Sequence, residues 1–309
     1  MKAPASTAAH ERGAALLAVL AMVVLLAGFA TAGLARLKAA GHQFTETQAQ
    51  TEAQLLASAG AAAAQSLVNQ LKARARFSPD VLQEPLSLPF EGGTVVARFA
   101  DGGNCFNLNS LASPPSSTSM GETPPAARPQ DFARLLTAAG IPQIEAGAIA
   151  RATAGRLART RQLWADPSEW AATPGVTPRY WALAGPLLCA LPTHESATLN
   201  INSLTAEKAP LLTGLGLGAD EARRAIAARP AAGWNSASDF MNRSGSNSEQ
   251  STAAAERLGT STRWMALTVT VETPHTRVAH DLLIDTLETP AAVVSSRWRA
   301  VNEPPEGTG

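Results

Sequence analysis

Residues 14–35 read AALLAVLAMVVLLAGFATAGLA, 22 residues without a charge. Wound as a helix, such a run is long enough to cross the roughly 30 Å of hydrocarbon in a bilayer. The chain is therefore predicted to be membrane-inserted at some stage. Beyond the run, the sequence continues to about Arg76 without a proline and is rich in Ala, Gln, Glu, Leu and Lys, which predicts one long helix. Leu55, Leu56, Ala59, Ala63, Leu67 and Leu71 recur at three- and four-residue intervals. That spacing places a stripe on one face, and the stripe should pack on a sheet. Gly28, Gly33, Gly41 and Gly60 read as interruptions, each costing up to about 1 kcal/mol relative to alanine.

Around this helix the composition sets bounds. The chain has 309 residues, with 25 basic and 25 acidic side chains and a charged fraction of 16%. This balance excludes a broadly electropositive nucleic-acid binder. The hydrophobic fraction of 45% is enough to bury a core in one or two domains. Aromatics are few, and alanine supplies much of the apolar share, which favours helix. Cys105 and Cys189 could form one disulfide in an oxidising compartment or stay as two thiols in a reducing one.

Pro79, Pro85 and Pro89 end the helix, and Gly92-Gly93 introduces Thr94-Val95-Val96-Ala97-Arg98-Phe99, a β-branched strand. Asp101-Gly102-Gly103 makes a turn, and Cys105-Phe106-Asn107-Leu108-Asn109 is predicted to pair back as the second strand of a hairpin. Residues 112–130 are a Pro/Ser-rich linker that cannot build a core. From Asp131 the pattern turns helical, through DFARLLTAAGI, AIARATAGRLARTRQLW, DPSEWAAT and PRYWALAGPLLCA. Asp166-Pro167-Ser168-Glu169 has the form of a helix start, Asp166 capping and Glu169 reaching back. Trp164, Trp170 and Trp181 read as core anchors.

Residues 199–243 form a second helical group. Two of its helices are joined by Gly214-Leu215-Gly216-Leu217-Gly218, and a third begins near Ser236. Residues 244–262 read as a flexible loop. Residues 263–301 alternate as strands with turns at Thr273-Pro274 and Thr289-Pro290, and 302–309 read as a disordered tail. The predicted fold class is α+β: a long N-terminal helix on an antiparallel sheet, with a large all-helical domain at 131–243 inserted between strands.

Catalytic arrangements are not found. His194, His275 and His280 are scattered, no His/Cys spacing suits zinc, and the Gly-rich run is no phosphate loop. Helix-hairpin-helix units often hold DNA backbone at a helix N-terminus, and a membrane-anchored competence-type DNA-binding protein would share the anchor and this unit. Here Lys208, Arg223, Arg224 and Arg229 are opposed by Glu207, Asp220 and Glu221, which leaves little phosphate affinity. A packing module for protein contacts is the preferred reading, with no nucleic-acid partner.

Glu11-Arg12-Gly13 stands directly before Ala14-Ala15-Leu16-Leu17. A secretory signal cut near Ala30-Thr31-Ala32 is the plainer alternative, but the apolar run exceeds the usual signal core. The polar leader ending in Gly13 resembles the cleavage site of type IV prepilins and type II secretion pseudopilins. That resemblance implies that residues 1–13 are a leader removed after Gly13 by a prepilin peptidase, and that Ala14 becomes the N-methylated mature N-terminus. Ala18 then stands at the fifth mature position, where most members carry a glutamate that neutralises a neighbour's buried ammonium. Its absence is a trait of the K-type minor pseudopilin, the tip subunit. Cys105-Phe106-Asn107-Leu108-Asn109-Ser110-Leu111, Asp166-Pro167-Ser168-Glu169, Leu188-Cys189-Ala190-Leu191-Pro192 and Asn200-Ile201-Asn202-Ser203-Leu204 follow in the order of that family.

The resemblance to the K-type minor pseudopilins of type II secretion extends from about Glu11 to Arg299. It implies a pilin-like body, with residues 14–35 as its transmembrane part, 36–76 as the periplasmic half of the helix and 77–111 as a β-hairpin region. It also implies an inner-membrane anchor, a periplasmic C-terminal domain, a non-enzymatic role at the pseudopilus tip, and the I and J minor pseudopilins as partners among other pseudopilins. Export, once implied, favours a Cys105–Cys189 disulfide. Family members can bind calcium through clustered acids. Here the region offers Glu145, Asp166 and Glu169 among Arg151, Arg156, Arg159 and Arg161, with no ligand-like spacing, so no cofactor is expected and Asp166 and Glu169 are left as weak calcium candidates. A type IV pilus minor pilin shares the N-terminal logic, and the insertion with its later motifs separates the two.

Overall fold

The computed structural model describes residues 7–75, 84–90, 93–112, 127–244, 254–274, 276–288 and 290–301. Helix α1 runs unbroken over Thr7–Ala75, about 100 Å at 1.5 Å per residue. Its N-terminal part is long and apolar enough to cross a membrane, and Leu16, Leu20, Val23, Leu26 and Phe29 all point outward.

The C-terminal third of α1 lies on a five-stranded antiparallel sheet of order β1-β2-β7-β8-β9. Its strands are β1 (Leu86–Phe90), β2 (Gly93–Asp101), β7 (Trp264–Glu272), β8 (Arg277–Asp285) and β9 (Ala292–Ala300). Alternation does the sorting, because successive side chains of a strand point to opposite faces. Val95, Ala97 and Phe99, then Met265, Leu267, Val269 and Val271, then Val278, Leu282 and Ile284 form one buried face. Ala53, Ala57, Ala61, Ala64 and Val68 of α1 cover it. This corrects the predicted stripe: Leu55, Ala59 and Ala63 are exposed and Leu56, Leu67 and Leu71 only half-buried, because the small side chains rather than the leucines let the helix approach the sheet.

Small side chains on the helix let the backbones approach, and Gly60 is the closest point. A Cβ built there would sit 2.6 Å from Val95 Cγ1 and 3.4 Å from Val269 Cγ1, whereas Gly41 has open space. Gly60 is thus a packing requirement, because β-branched valines cannot swing away. Gly60→Ala is expected to destabilise the body by about 2 kcal/mol through overpacking, while Gly41→Ala should leave it unchanged or slightly better. Thermal unfolding of the two variants side by side decides the matter; equal melting would refute the close approach.

Between β2 and β7 the chain builds the helical insertion. It begins with β3 (Phe106–Asn107), followed by a 3-10 turn at Leu108–Ala112, α2 (Pro129–Ala138) and α3 (Gln143–Thr160). A second 3-10 turn at Pro167–Ala172, α4 (Pro178–Ala184) and β4 (Leu188–Cys189) complete its first half. The second half holds β5 (Leu199–Asn200), α5 (Ala209–Gly214), α6 (Ala219–Ala227), α7 (Ala237–Ser244) and β6 (Leu258–Gly259).

Several local expectations are corrected. Phe106-Asn107 does not pair back on residues 94–99; it runs parallel to Leu188-Cys189 and belongs to the insertion. The hairpin partner of β2 is β1, which carries Pro89. Proline is tolerated there because β1 is an edge strand, with one side free of ladder bonds. The Asp166 segment starts a 3-10 turn rather than an α-helix. The predicted loop at 244–262 is built at its end, where Ala254 is buried and Leu258-Gly259 pairs with β5. Residues 113–126 of the linker, 245–253 of the loop and the 302–309 tail lie outside the described residues.

Candidate functional site

The insertion is one motif used twice. Asn107-Leu108-Asn109-Ser110-Leu111 opens the first unit, and Asn200-Ile201-Asn202-Ser203-Leu204 opens the second. In each, the first asparagine accepts from the backbone N–H of the second, Asn109 N to Asn107 Oδ1 at 3.2 Å and Asn202 N to Asn200 Oδ1 at 3.0 Å. The second asparagine then grips a tryptophan backbone from both sides. Trp164 N donates to Asn109 Oδ1 at 2.8 Å while Asn109 Nδ2 donates to Trp164 O at 2.9 Å. In the other unit, Trp234 N donates to Asn202 Oδ1 at 2.6 Å and Asn202 Nδ2 donates to Trp234 O at 3.1 Å.

The helical hairpins match as well. α2 ends at Leu135-Leu136-Thr137 before Gly140-Ile141, and α5 at Leu211-Leu212-Thr213 before Gly216-Leu217. Gly140 and Gly216 have φ of 98° and 109°, the left-handed conformation that only glycine takes without strain. The Ile141 N–H reaches back to Leu136 O at 3.0 Å, and the Leu217 N–H to Leu212 O at 3.2 Å, so both helices close with the same capping bond. Trp164 is followed by a capped turn leading to buried Trp170, and Trp234 by the Ser236-capped α7 leading to buried Phe240. Each unit closes with a strand parallel to its opening one, β4 on β3 and β6 on β5.

The two units share a core. Phe106 stacks on Phe132 at 4.7 Å, and Phe132 meets the edge of Trp170 at 5.9 Å. Across the seam, Gly214 of α5 packs on Leu135 of α2, and Arg134 Nε donates to Gly214 O at 3.3 Å. Asp131 of the first unit is buried against Arg257 of the second at 3.2 Å. Such a buried pair does little for net stability. Of the three tryptophans expected as core anchors, Trp164 and Trp170 are buried and Trp181 is half-buried.

A polar neck joins insertion and body. The Asp101 carboxylate at the end of β2 accepts from Gly103 N at 2.9 Å, Asn200 Nδ2 at 3.0 Å and Ser203 Oγ at 2.7 Å. Burial pushes its pKa up, and these hydrogen bonds oppose the rise. Beside the neck, Cys105 and Cys189 form a disulfide, with Cα atoms 5.7 Å apart. It ties the residue before the first unit's opening strand to its closing strand.

Asp166 and Glu169 are brought together by the turn after α3, but as caps. Ser168 N donates to Asp166 Oδ1 at 2.7 Å, while Ala165 N and Asp166 N donate to Glu169 Oε1 at 2.9 and 3.1 Å. Among the described residues, no three His, Cys, Asp or Glu side chains converge as a metal site. Gly13 and Ala14 fall within the backbone of α1, and Ala18 is exposed on it.

Comparison with known proteins meets this geometry at the second unit. Residues 199–261, which run from β5 just past β6, match the family model described as Type II secretion system (T2SS), protein K. The resemblance to protein K holds. Type II secretion system protein K of Aeromonas hydrophila is 41% identical over 69 residues, which spans 21% of this chain and 20% of that protein. Among solved structures, a chain of the GspK-GspI-GspJ complex of the enterotoxigenic Escherichia coli type 2 secretion system is similar with a TM-score of 0.70. That likeness covers 84% of this chain and all of the other at 22% identity, and at this identity it speaks for the α+β fold alone. The matched protein K region is the second of the two units. Reading the sequence missed the first as its copy, although Asn-x-Asn-Ser-Leu, written twice, was the signal.

Proposed function

We propose that the chain is a minor pseudopilin of the K type, a structural, non-enzymatic subunit at the tip of the type II secretion pseudopilus. The observation that carries this reading is the doubled insertion between β2 and β7 of a pilin-like body, whose second unit matches protein K. In this reading the leader is removed after Gly13, and Ala14 becomes the methylated N-terminus. The apolar part of α1 sits in the inner membrane and later in the filament core, and the body faces the periplasm. Ala18 offers no carboxylate to a neighbour's ammonium, so the subunit leads the filament. The bulky insertion blocks stacking above it, which suits a subunit that starts and caps assembly.

Neighbours corresponding to the I and J pseudopilins would pack on α1. Its exposed face outside the membrane supports this. Leu37, Phe44 and Leu55 are 72%, 70% and 68% exposed, and their spacings fall close to whole helical turns, so they form one line. Ala53 and Ala57, two residues either side of Leu55, face the sheet instead. The line is therefore turned away from the body, where another long helix can reach it.

The test is intact mass and N-terminal sequence of the membrane-extracted protein, with and without a prepilin peptidase. A start at N-methylated Ala14 is expected, and Gly13→Ala should leave the precursor uncut. A start near Gly33, or an uncut wild-type chain, would remove the pseudopilin reading.

A further inference from the structure

The Asp166–Glu169 turn is the place where the family resemblance would put a divalent cation, and the residues present do not fit one. Each carboxylate oxygen there faces a backbone N–H or a guanidinium, although Asp166 Oδ2 accepts no hydrogen bond. Asp166 Oδ1 and Glu169 Oε1 accept backbone N–H groups of the turn itself. Glu169 Oε2 lies 3.5 Å from the Arg156 guanidinium, which also sits 4.7 Å over the Trp164 ring. Asp166 Oδ2 forms an ion pair with Arg297. Two carboxylates thus face two guanidiniums. Calcium asks for six to eight oxygens, and it would have to enter between two positive charges.

Arg297 belongs to β9, the edge strand of the body. It stands opposite Asp281 of β8, which stands opposite Thr268 of β7, itself opposite Arg98 of β2. The contact is therefore three strands across the sheet from β2, whose end carries the Asp101 neck. Leu191 and Ala197 already pack on Trp264 and Leu283, and Arg263 bridges Glu195 and Asp285, so the insertion meets β7 and β8 as well as the neck. A contact on β9 extends the attachment to the far strand. We infer that the Arg297–Asp166 pair is a latch that fixes the insertion on the body, and that with Arg156 it supplies the positive charge a metal would otherwise bring. The angle between insertion and body is then set without calcium.

The experiment uses the full-length chain in detergent with one spin label on each part, at Arg179→Cys on the exposed side of α4 and Glu288→Cys in the loop after β8. The native cysteines are joined to each other, so the introduced thiols label cleanly. The distance distribution is expected to be narrow and the same in chelator as in about 5 mM calcium, a concentration that would load even a weak extracellular-type site. Arg297→Gln should broaden it at least twofold, Asp166→Asn should do the same, and the double variant should be no broader than either alone. Arg297→Lys should restore the narrow form. Melting of each variant, followed by tryptophan emission, verifies that both parts remain folded. A distribution that shifts or sharpens on adding calcium to the wild type would overturn the inference, as would an unchanged distribution in folded Arg297→Gln.

Discussion

Replacing Asn202 with leucine is expected to lower stability by about 3–5 kcal/mol, a large share of what holds a domain together. Leucine nearly matches asparagine in shape, so packing is kept and only the bonds are lost. Asn202 is 1% exposed, and water cannot substitute. Its loss leaves the Trp234 N–H and C=O without partners, together with the Thr260 carbonyl that Asn202 Nδ2 approaches at 3.4 Å. Each such orphan costs about 1–3 kcal/mol. Asn109→Leu should cost a similar amount, because Asn109 holds Trp164 in the same way and also donates to Leu191 O at 2.9 Å. Asn242→Leu on the exposed side of α7 is the control and should stay within about 0.5 kcal/mol. Chemical unfolding followed by tryptophan emission measures all three. If Asn202→Leu melted like the control, the tryptophan clamp would not be what closes each unit.

These clamps also show where sequence reading stopped. The long helix was legible because a proline-free, alanine-rich stretch needs no partner to be recognised, but its buried face was not, since the sheet selects Ala53, Ala57, Ala61, Ala64 and Val68 over the leucine-bearing stripe. The strands of the body were legible by alternation, except β1, where Pro89 reads as a breaker unless one knows that the strand lies at an edge. Strands of two residues, such as Phe106-Asn107 and Leu199-Asn200, carry no periodicity at all. Each exists only because a distant segment, Leu188-Cys189 or Leu258-Gly259, runs parallel to it. The duplication was hidden for a related reason. The intervening helices differ in length between units, so the repeat has no fixed period, and what recurs is the hydrogen bonding of Asn109 and Asn202. The cap at Asp166 was readable because its partners lie within three residues. Arg297 and Arg156, which decide whether that turn can hold a cation, lie on other elements.

Removing the disulfide by Cys105→Ala with Cys189→Ala is expected to cost about 4 kcal/mol. The two cysteines are 84 residues apart in sequence, and closing a loop of that length in the unfolded chain removes entropy of about this size. The loss should fall on the first unit, because the bridge joins the residue before its opening strand to its closing strand. The second unit supplies a stricter test through its own equivalent positions. Thr198 precedes β5 as Cys105 precedes β3, and Gly259 stands opposite Asn200 as Cys189 stands opposite Asn107. A Cβ built on Gly259 would meet Thr198 Cγ2 at 2.9 Å, so the two positions already touch. Thr198→Cys with Gly259→Cys should therefore oxidise spontaneously, and introduced into the cysteine-free variant it should recover part of the lost stability. Alkylation followed by intact mass counts the thiols, and unfolding before and after reduction gives the gain. Thiols that stayed reduced under mild oxidant would mean that the two units are alike in sequence pattern but not in the geometry of their closing strands.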